Sequence, residues 1–383
     1  MSLKVGRRGG VPPFIVMDVM KAAAEREAAG NGVLHMEVGQ PSTGAPAGVV
    51  AAAKWALDRD VLGYTLALGI EPLRRRIARH YRDRYDVAVD EARIAVTTGS
   101  SGAFLLSFLA AFDAGDKVAI LRPGYPCYRN ILGALGIEAV DVPVGPNTRF
   151  QPTPELLDRA GGAKLDGLLV ASPANPTGSM LTQAELAAIV GYCRERGIRY
   201  ISDEIYHGIT FGAPAATALA YGEDAIVINS FSKYFSMTGW RLGWTVLPES
   251  LVRPFERLAQ NLFISPPSLA QHAAVVAFDC TEELEANVRR YARNRELLLA
   301  ELPKAGFDRL APADGAFYLY ADVSRISNDS ARLCREMLQA TGVAATPGLD
   351  FDPADGRAFV RFSFSGATND MAEAARRLNA WLG

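Results

Sequence analysis

Cysteine is scarce in this sequence of 383 residues, and the four cysteines (Cys127, Cys193, Cys280 and Cys334) stand far apart. None of them forms a CxxC pair, which argues against a metal site and against a disulfide framework. A reducing compartment fits this usage best, so we expect a cytoplasmic protein. Long apolar runs are also missing. No stretch approaches the roughly 18 residues that indicate a transmembrane helix, and residues 1–13 hold no signal-peptide core.

A strong net charge is absent as well. The formal net charge is −2, so the chain has no overall basic field that would attract nucleic acid or an acidic membrane surface, and we expect neither as a partner. Lysine is rare, with seven residues in the chain. One of them, Lys233, lies among Phe231, Tyr234 and Phe235. The alternative to a functional amine there is a surface lysine whose stem covers apolar neighbours.

The length of the chain predicts two domains, because single hydrophobic cores stop growing at roughly 250–300 residues. A periodic helix is predicted at 282–302, and a mixed pattern of strands and a helix follows it. We therefore expect a large domain at 48–289. A smaller α+β domain would be discontinuous, formed by 1–47 and 290–383.

Short buried strands alternate with helical patterns through the middle of the chain. Thr182 and Glu185 form a predicted capping box, and Gly197 lies where that helix should end. This alternation predicts an α/β fold with a mostly parallel sheet and helices on both faces. The exception is 225–247, where an irregular loop joins two strands. The predicted strands are 93–98, 117–121, 167–171, 198–202, 225–229 and 242–247.

Polar segments follow these strands, and in open α/β sheets ligands bind at the carboxyl ends of the strands. A helix start with free N–H groups, with serines and an arginine near it, suits a phosphate. The other segments suit a phosphorylated, electron-withdrawing ring, since Asp203 could keep a nitrogen of such a ring protonated. Lys233 could form an imine with an aldehyde if its amine is desolvated. Each feature alone has a common structural explanation as a turn or cap, so their order and spacing carry the prediction. The segments are Gly99–Gly102, Ser172–Gly178, Asp203–Tyr206 and Ser230–Lys233, with Arg241 eight residues further on.

The motifs resemble those of class I/II aminotransferases that depend on pyridoxal phosphate, in the aspartate aminotransferase superfamily (PLP fold type I). The resemblance covers most of the chain. It implies a large domain with a mostly parallel seven-stranded sheet and a smaller α+β domain built from both termini. It also implies transfer of an amino group from an α-amino acid to a 2-oxo acid. The matching segments are Gly39–Pro41, Gly63–Thr65, Asn175–Gly178, Asp203–Tyr206, Ser230–Lys233, Met237–Gly243 and Arg361–Phe364.

The resemblance also implies the role of each site residue. Lys233 would bind pyridoxal 5'-phosphate as an imine and move a proton between the substrate Cα and the cofactor C4′. Asp203 would pair with the pyridinium nitrogen, and Tyr206 and Asn175 would bind the phenolic oxygen. Tyr125 would stack on the ring. The cofactor phosphate would be held by Ser100, Ser101, Gly102, Ser230, Ser232 and Arg241.

Two further implications concern the substrate and a second subunit. Arg361 would bind the α-carboxylate, with help from Asn175 and the Gly39 backbone. Tyr64 would reach the phosphate of the neighbouring subunit, so the active site would be shared across a homodimer. In the branch of the family that acts on aspartate, a lysine sometimes occupies the position of Ser101. Its absence leaves dicarboxylate specificity in doubt and the donor open.

Other functions stay open at this point. A carbon–sulfur β-lyase or an α-oxoamine synthase would use the same lysine, aspartate and arginine, because the cofactor supplies the chemistry. A regulatory sensor protein is a more remote alternative, since the segment ahead of Gly39 has no helix-turn-helix pattern. Zinc-hydrolase, GxSxG and phosphate-loop motifs are absent from the sequence.

Overall fold

A computed structural model of the protein describes residues 3–383. Within these residues the strands are β1 (Leu34–His35), β2 (Ile94–Thr97), β3 (Lys117–Arg122), β4 (Glu138–Pro143), β5 (Gly167–Ala171), β6 (Arg199–Asp203), β7 (Ile226–Ser230), β8 (Gly243–Val246), β9 (Arg309–Leu310), β10 (Tyr318–Asp322), β11 (Val343–Ala344), β12 (Thr346–Pro347) and β13 (Phe359–Ser363). The helices are α1 (Ile15–Ala28), α2 (Ala47–Arg59), α3 (Glu71–Tyr85), α4 (Gly99–Ala111), α5 (Pro126–Leu135), α6 (Pro154–Ala160), α7 (Gln183–Arg196), α8 (Glu249–Leu262), α9 (Ser268–Ala274), α10 (Thr281–Glu301), α11 (Ser330–Thr341) and α12 (Thr368–Leu382).

The central sheet has seven strands in the order β2-β8-β7-β6-β5-β3-β4. Neighbouring strands are parallel except for β8, which is antiparallel to both β2 and β7. This confirms the α/β fold class and the irregular connection between β7 and β8. Six of the seven strands were predicted. The sequence did not identify β4, an edge strand whose residues are mostly exposed or half-buried and so lack a continuous apolar signal.

Strands inside this sheet are covered on both faces. Every residue of β2, β7 and β8 is buried, which explains why they read as short apolar runs rather than as alternating patterns. Within residues 3–383, no helix combines the length and apolarity needed to cross a membrane.

A second, four-stranded antiparallel sheet has the order β12-β13-β10-β9. The N-terminal strand β1 pairs in parallel with β11 near the C-terminus, with Leu34 opposite Val343. Helix α10 runs without a break through position 290, where the sequence predicted a boundary. The limits of the two domains stay a prediction, and residues 1–2 of the predicted small domain lie outside the described residues.

Local sequence signals set the start and end of α7, the helix that connects β5 to β6. The predicted capping box is present at α7, where the Thr182 side chain accepts from the Glu185 N–H and the Glu185 carboxylate accepts from the Thr182 N–H. The helix ends at Gly197, whose φ of +68° is in the left-handed region that favours glycine. The chain then enters β6, which runs parallel to β5 with Asp203 opposite Ala171. Both strands therefore end at the same edge of the sheet.

Candidate active site

A cleft of about 200 Å³ lies at this edge, where the carboxyl ends of the parallel strands meet residues of the second sheet. Most of the residues predicted from the sequence line it together. They are Gly39, Ser100, Ser101, Tyr125, Asn175, Asp203, Tyr206, Ser232, Lys233, Arg241 and Arg361.

Lys233 follows β7 and directs its amine into this cleft. Its Nζ donates a hydrogen bond to the Gly39 carbonyl oxygen at 2.7 Å. Burial lowers the pKa of Lys233 to about 8, and the positive charges of Arg361 and Arg241 add to the effect. Roughly a tenth of the amine is therefore uncharged at pH 7, far more than for an ordinary lysine, and the uncharged form is the one that reacts with a carbonyl group.

Asp203 is the last residue of β6 and is buried, with 3 % of its surface exposed. Its Oδ1 accepts from the Ile205 N–H at 3.0 Å, and its Oδ2 accepts from the Tyr128 hydroxyl. Burial raises the pKa of Asp203 to about 6, against the opposing effect of these two hydrogen bonds and of Lys233. The carboxylate is thus a buried anion that would gain from a cationic partner in the cleft.

The start of α4 and the chain around Arg241 form a polar corner of the cleft. Ser100 and Ser101 lie in the first turn of α4, where backbone N–H groups are free of intrahelical partners. Gly99 has a φ of +70°, and a Cβ at this position would approach the Arg241 guanidinium Nη2 to 2.6 Å. Glycine therefore lets Arg241 lie directly against the helix start. Arg241 in turn donates to the Thr238 carbonyl oxygen at 2.9 Å.

Arg361 projects from β13 and is 3 % exposed. Its Nη1 donates to the Asn175 Oδ1 at 2.9 Å, and its Nη2 donates to the Glu37 carbonyl oxygen and to Thr346 Oγ1. The guanidinium carbon lies 4.4 Å from the centre of the Tyr318 ring, so the ring helps to orient it. Its Nε has no hydrogen-bond partner within residues 3–383. These three hydrogen bonds fix the side chain and leave two of its five N–H groups, one of them on Nε, for an anion.

Tyr206 and Gly39 also line the cleft, and both lie close to Tyr318. The Tyr206 and Tyr318 hydroxyls are hydrogen-bonded at 2.7 Å, and burial raises the pKa of Tyr206 well above its usual range. A Cβ on Gly39 would overlap the Tyr318 hydroxyl, so only glycine allows this loop to pass so close.

Three predicted residues do not line the cleft. The Ser230 hydroxyl is buried and bonds to Ser232 Oγ and to the Leu242 carbonyl oxygen. Gly102 is buried within α4, and a Cβ there would meet Thr98 Oγ1 at 2.5 Å. Tyr64 lies on the surface, 84 % exposed. The roles suggested for these three residues stay predictions.

Sequence reasoning missed several lining residues. Tyr128 had a local signal, because it lies three residues after Tyr125 at the beginning of α5 and shares its side of the helix. Tyr318 had none, because it reaches the cleft from the second sheet. Helix α1 also contributes to the lining through Phe14, at its start, and through Met17 and Met20.

Comparison with known proteins agrees with this geometry. The family described as aminotransferase class I and II matches residues 31–378. A valine–pyruvate aminotransferase of Mycobacterium tuberculosis is 52% identical over 100% of this chain and 99% of its own length. An aspartate/prephenate aminotransferase of Thermus thermophilus is 31% identical over 97% of this chain and 96% of its own length.

Solved structures give the same result. A crystal structure of an aminotransferase from Mycobacterium tuberculosis has a TM-score of 0.97 at 52% identity, covering 100% of this chain and 99% of that one. The Thermus thermophilus aspartate aminotransferase with maleate has a TM-score of 0.92 at 28% identity, covering 99% and 100%. None of these matches favours a β-lyase, an oxoamine synthase or a regulatory protein. The chain belongs to the class I and II aminotransferases of PLP fold type I, and it transfers the amino group of an amino acid to a 2-oxo acid.

Proposed function

We propose that this aminotransferase uses pyridoxal 5'-phosphate bound covalently to Lys233. Members of this family use that cofactor. The observation that carries the proposal is the position of a lysine amine with a pKa of about 8 in one cleft with a buried carboxylate and a buried arginine. Bound there, the cofactor would supply an aldehyde for the amino group and a protonated ring that accepts electrons from Cα.

The residues present fit this group. The start of α4, with Ser100 and Ser101, supplies free N–H groups and hydroxyls for a phosphate, and Arg241 lies against it. Ser232 also lines the cleft, and its hydroxyl is hydrogen-bonded to the hydroxyl of Ser230 at 2.9 Å. Ser230 would then act by orienting Ser232 rather than by touching the phosphate. Gly102 would contribute by allowing close packing at the helix start.

Each remaining residue has a task that its environment supports. Lys233 would take the proton from the substrate Cα and deliver it to C4′ of the cofactor, since its amine is desolvated enough to lose its own proton. Asp203 would hold the proton on the ring nitrogen. Tyr206 and Asn175 would orient the ring by hydrogen bonds to its oxygen, and Tyr125 would cover one face.

Covalent labelling tests the central assignment. Reduction of the purified protein with borohydride should attach the cofactor irreversibly, and peptide mapping should place the label on Lys233. The other lysines serve as internal controls within the same digest. A label on one of them, or no label, would contradict the proposal.

The pH dependence of cofactor capture gives a second test. Because only the uncharged amine is a nucleophile, capture by the cofactor-free protein should rise with pH and level off above about 8, the pKa of Lys233. An ordinary lysine, with a pKa of about 10.4, would still gain rate two units higher. Timed borohydride quenching and mass spectrometry of the Lys233 peptide measure the profile. A midpoint near that of an exposed lysine would show that the amine is not desolvated.

The substrates follow from the cations in the cleft. Those contributed by residues 3–383 are Lys233, Arg241 and Arg361, and the first two are assigned to the cofactor. This leaves one arginine for one α-carboxylate, assisted by Asn175 and the Gly39 backbone. The relative from Mycobacterium tuberculosis is named for valine and pyruvate, which are both monocarboxylates. We propose an apolar amino acid such as valine as donor and a small 2-oxo acid such as pyruvate as acceptor. A half-reaction screen in which aspartate reacts faster than valine would contradict this.

Replacing Arg361 with lysine should weaken capture of amino acids although the charge is kept. A lysine cannot reproduce the planar fork that forms two parallel hydrogen bonds to a carboxylate. The loss in kcat/KM should correspond to roughly 2–5 kcal/mol, as for other buried charge pairs. Amines without an α-carboxylate serve as the matched control and should be affected much less. An Arg361→Lys enzyme that reacts with every amino acid like the parent would place the carboxylate site elsewhere.

We also propose a cytoplasmic homodimer whose active sites are shared between subunits. Exposed apolar side chains in the segments 55–66 and 262–264 support the dimer, because exposed apolar surface marks interaction sites. Gln271 Nε2 donates to Thr65 Oγ1 at 3.0 Å, so the segments around 65 and 271 lie together. Tyr64 is adjacent to Thr65 in this segment and is 84 % exposed, so its side chain is free to contact a second subunit. The exposed side chains are Trp55, Leu57, Val61, Leu66, Leu262 and Ile264.

Hybrid dimers test the sharing of the site. One chain has Lys233→Ala with Tyr64 intact, and the other has Tyr64→Phe with Lys233 intact. If Tyr64 serves the neighbouring subunit, one of the two sites in the hybrid holds both residues, and affinity for the phosphate should recover there. Cofactor titration of purified hybrids measures this. No recovery would mean that Tyr64 acts within its own subunit or has no role.

A further inference from the structure

Helix α1 forms an apolar wall of the active-site cleft. Val16, Met17 and Met20 line the cleft from this helix, together with Phe14 immediately before it and Val38 from the loop after β1. Met17 and Met20 are three residues apart and therefore lie on the same side of the helix. Met17 is 56 % exposed and Met20 is half-buried, so neither side chain is enclosed in the hydrophobic core. The polar and charged lining residues come from other elements.

The wall is held in place at its N-terminal end. The Asp350 carboxylate accepts from the Ile15 N–H at 2.8 Å and from the Val16 N–H at 3.2 Å. A negative charge at a helix N-terminus is stabilising, and Asp350 is 6 % exposed, which limits screening by water. Phe14 also packs edge-on against Tyr125, with ring centres 5.8 Å apart. Helix α1 is thus fixed relative to the residue that would cover the cofactor.

We propose that Met17 and Met20 contact the side chain of the substrate and select apolar amino acids. The inference rests on the proposed function, because it places the substrate carboxylate on Arg361. An apolar side chain that covers these methionines removes apolar surface from water on both partners. Methionine is flexible and polarizable and adapts to different shapes. The wall therefore accepts branched and unbranched apolar side chains and offers no partner to a second carboxylate.

Half-reaction kinetics with a series of amino acids test the proposal. In a Met17→Ala, Met20→Ala enzyme, kcat/KM for valine and leucine should fall about 10-fold or more, the range for losing an apolar contact in a specificity pocket. Alanine has a single methyl group to bury, and its kcat/KM should change less than about twofold on the same reasoning. Leucine at both positions keeps apolar volume, so it should restore the preference. Glutamine at both positions should not restore the preference, because its side chain ends in a polar amide.

Val19 provides the matched control. It lies on α1 but packs against Leu338 and Ala344, away from the cleft. Val19→Ala should leave the ratio of leucine to alanine reactivity unchanged. An equal loss for all amino acids in the methionine variants, or the same change of ratio in Val19→Ala, would overturn the proposal, because helix stability rather than direct contact would then explain it.

A binding measurement separates this proposal from the function on which it rests. Hydrogen exchange of the α1 amides in the parent enzyme should slow more with the 2-oxo acid of valine than with pyruvate, without any turnover. If the parent transaminates no amino acid, the proposed function fails. If it transaminates and α1 exchanges equally with both oxo acids, only the role of the methionines fails.

Discussion

Replacing Lys233 with alanine is expected to abolish covalent attachment of the cofactor and to lower kcat by about 10²–10⁴-fold or more, the range for losing a positioned proton-transfer group. The amine of Lys233 lies in the cleft, where burial and then the charges of Arg361 and Arg241 lower its pKa and keep it partly uncharged. Alanine leaves Arg361 in place, and also the polar corner at the start of α4 that is assigned to the phosphate. The variant should therefore still bind the cofactor without a covalent bond. Single-turnover kinetics and the absorbance of the bound cofactor measure both effects.

The control is another lysine of the chain. Lys21 is a surface residue of α1 with 77% of its side chain exposed, and Lys21→Ala should behave like the parent enzyme. Added methylamine is a small base that could occupy the space left by Lys233, and it should recover part of the rate. Near-normal turnover by Lys233→Ala would mean that the amine is structural and that the proposed chemistry is wrong.

Replacing Asp203 with alanine is the second change with a large expected effect. The cofactor should stay bound, because the polar corner at the start of α4 and Lys233 are unchanged. Transamination should nevertheless fall by about 10²–10³-fold, as when other preorganised charge-stabilising groups are removed. Without the carboxylate the ring nitrogen loses its proton, and the ring no longer accepts electrons well. Cofactor content and half-reaction rates measured on one preparation separate the two effects. Retained cofactor with near-normal turnover would show that Asp203 only terminates β6.

Tyr128→Phe is the matched control for Asp203, because it keeps the carboxylate and removes one hydrogen bond. Burial raises the pKa of Asp203 to about 6, and the hydrogen bond from the Tyr128 hydroxyl opposes this rise. Without the hydroxyl this pKa should rise. If the ionised carboxylate is needed, activity should then disappear at a higher pH on the acidic side of the profile. An unchanged acidic limb would show that Asp203 does not set it.

The sequence by itself determined the fold class and most of the polar and charged side chains that line the cleft. Buried strands appear as short apolar runs because both faces of the sheet are covered, and the capping box at Thr182 and the stop at Gly197 are local hydrogen-bonding signals. The carboxyl ends of parallel strands meet at one edge whatever the loop lengths are. The positions of Asp203 at the end of β6 and of Lys233 just after β7 were therefore enough to place these two residues near one another.

Only the tertiary structure decided which groups touch. Tyr318 and Arg361 come from the second sheet, and their contacts with Tyr206 and Asn175 join residues more than 100 positions apart. The edge strand β4 and the wall formed by α1 also escaped prediction, because an apolar residue on a helix looks the same whether it faces a core or a cleft. The pKa values of Lys233 and Asp203 are set by burial, which is a property of the packed molecule and not of local sequence.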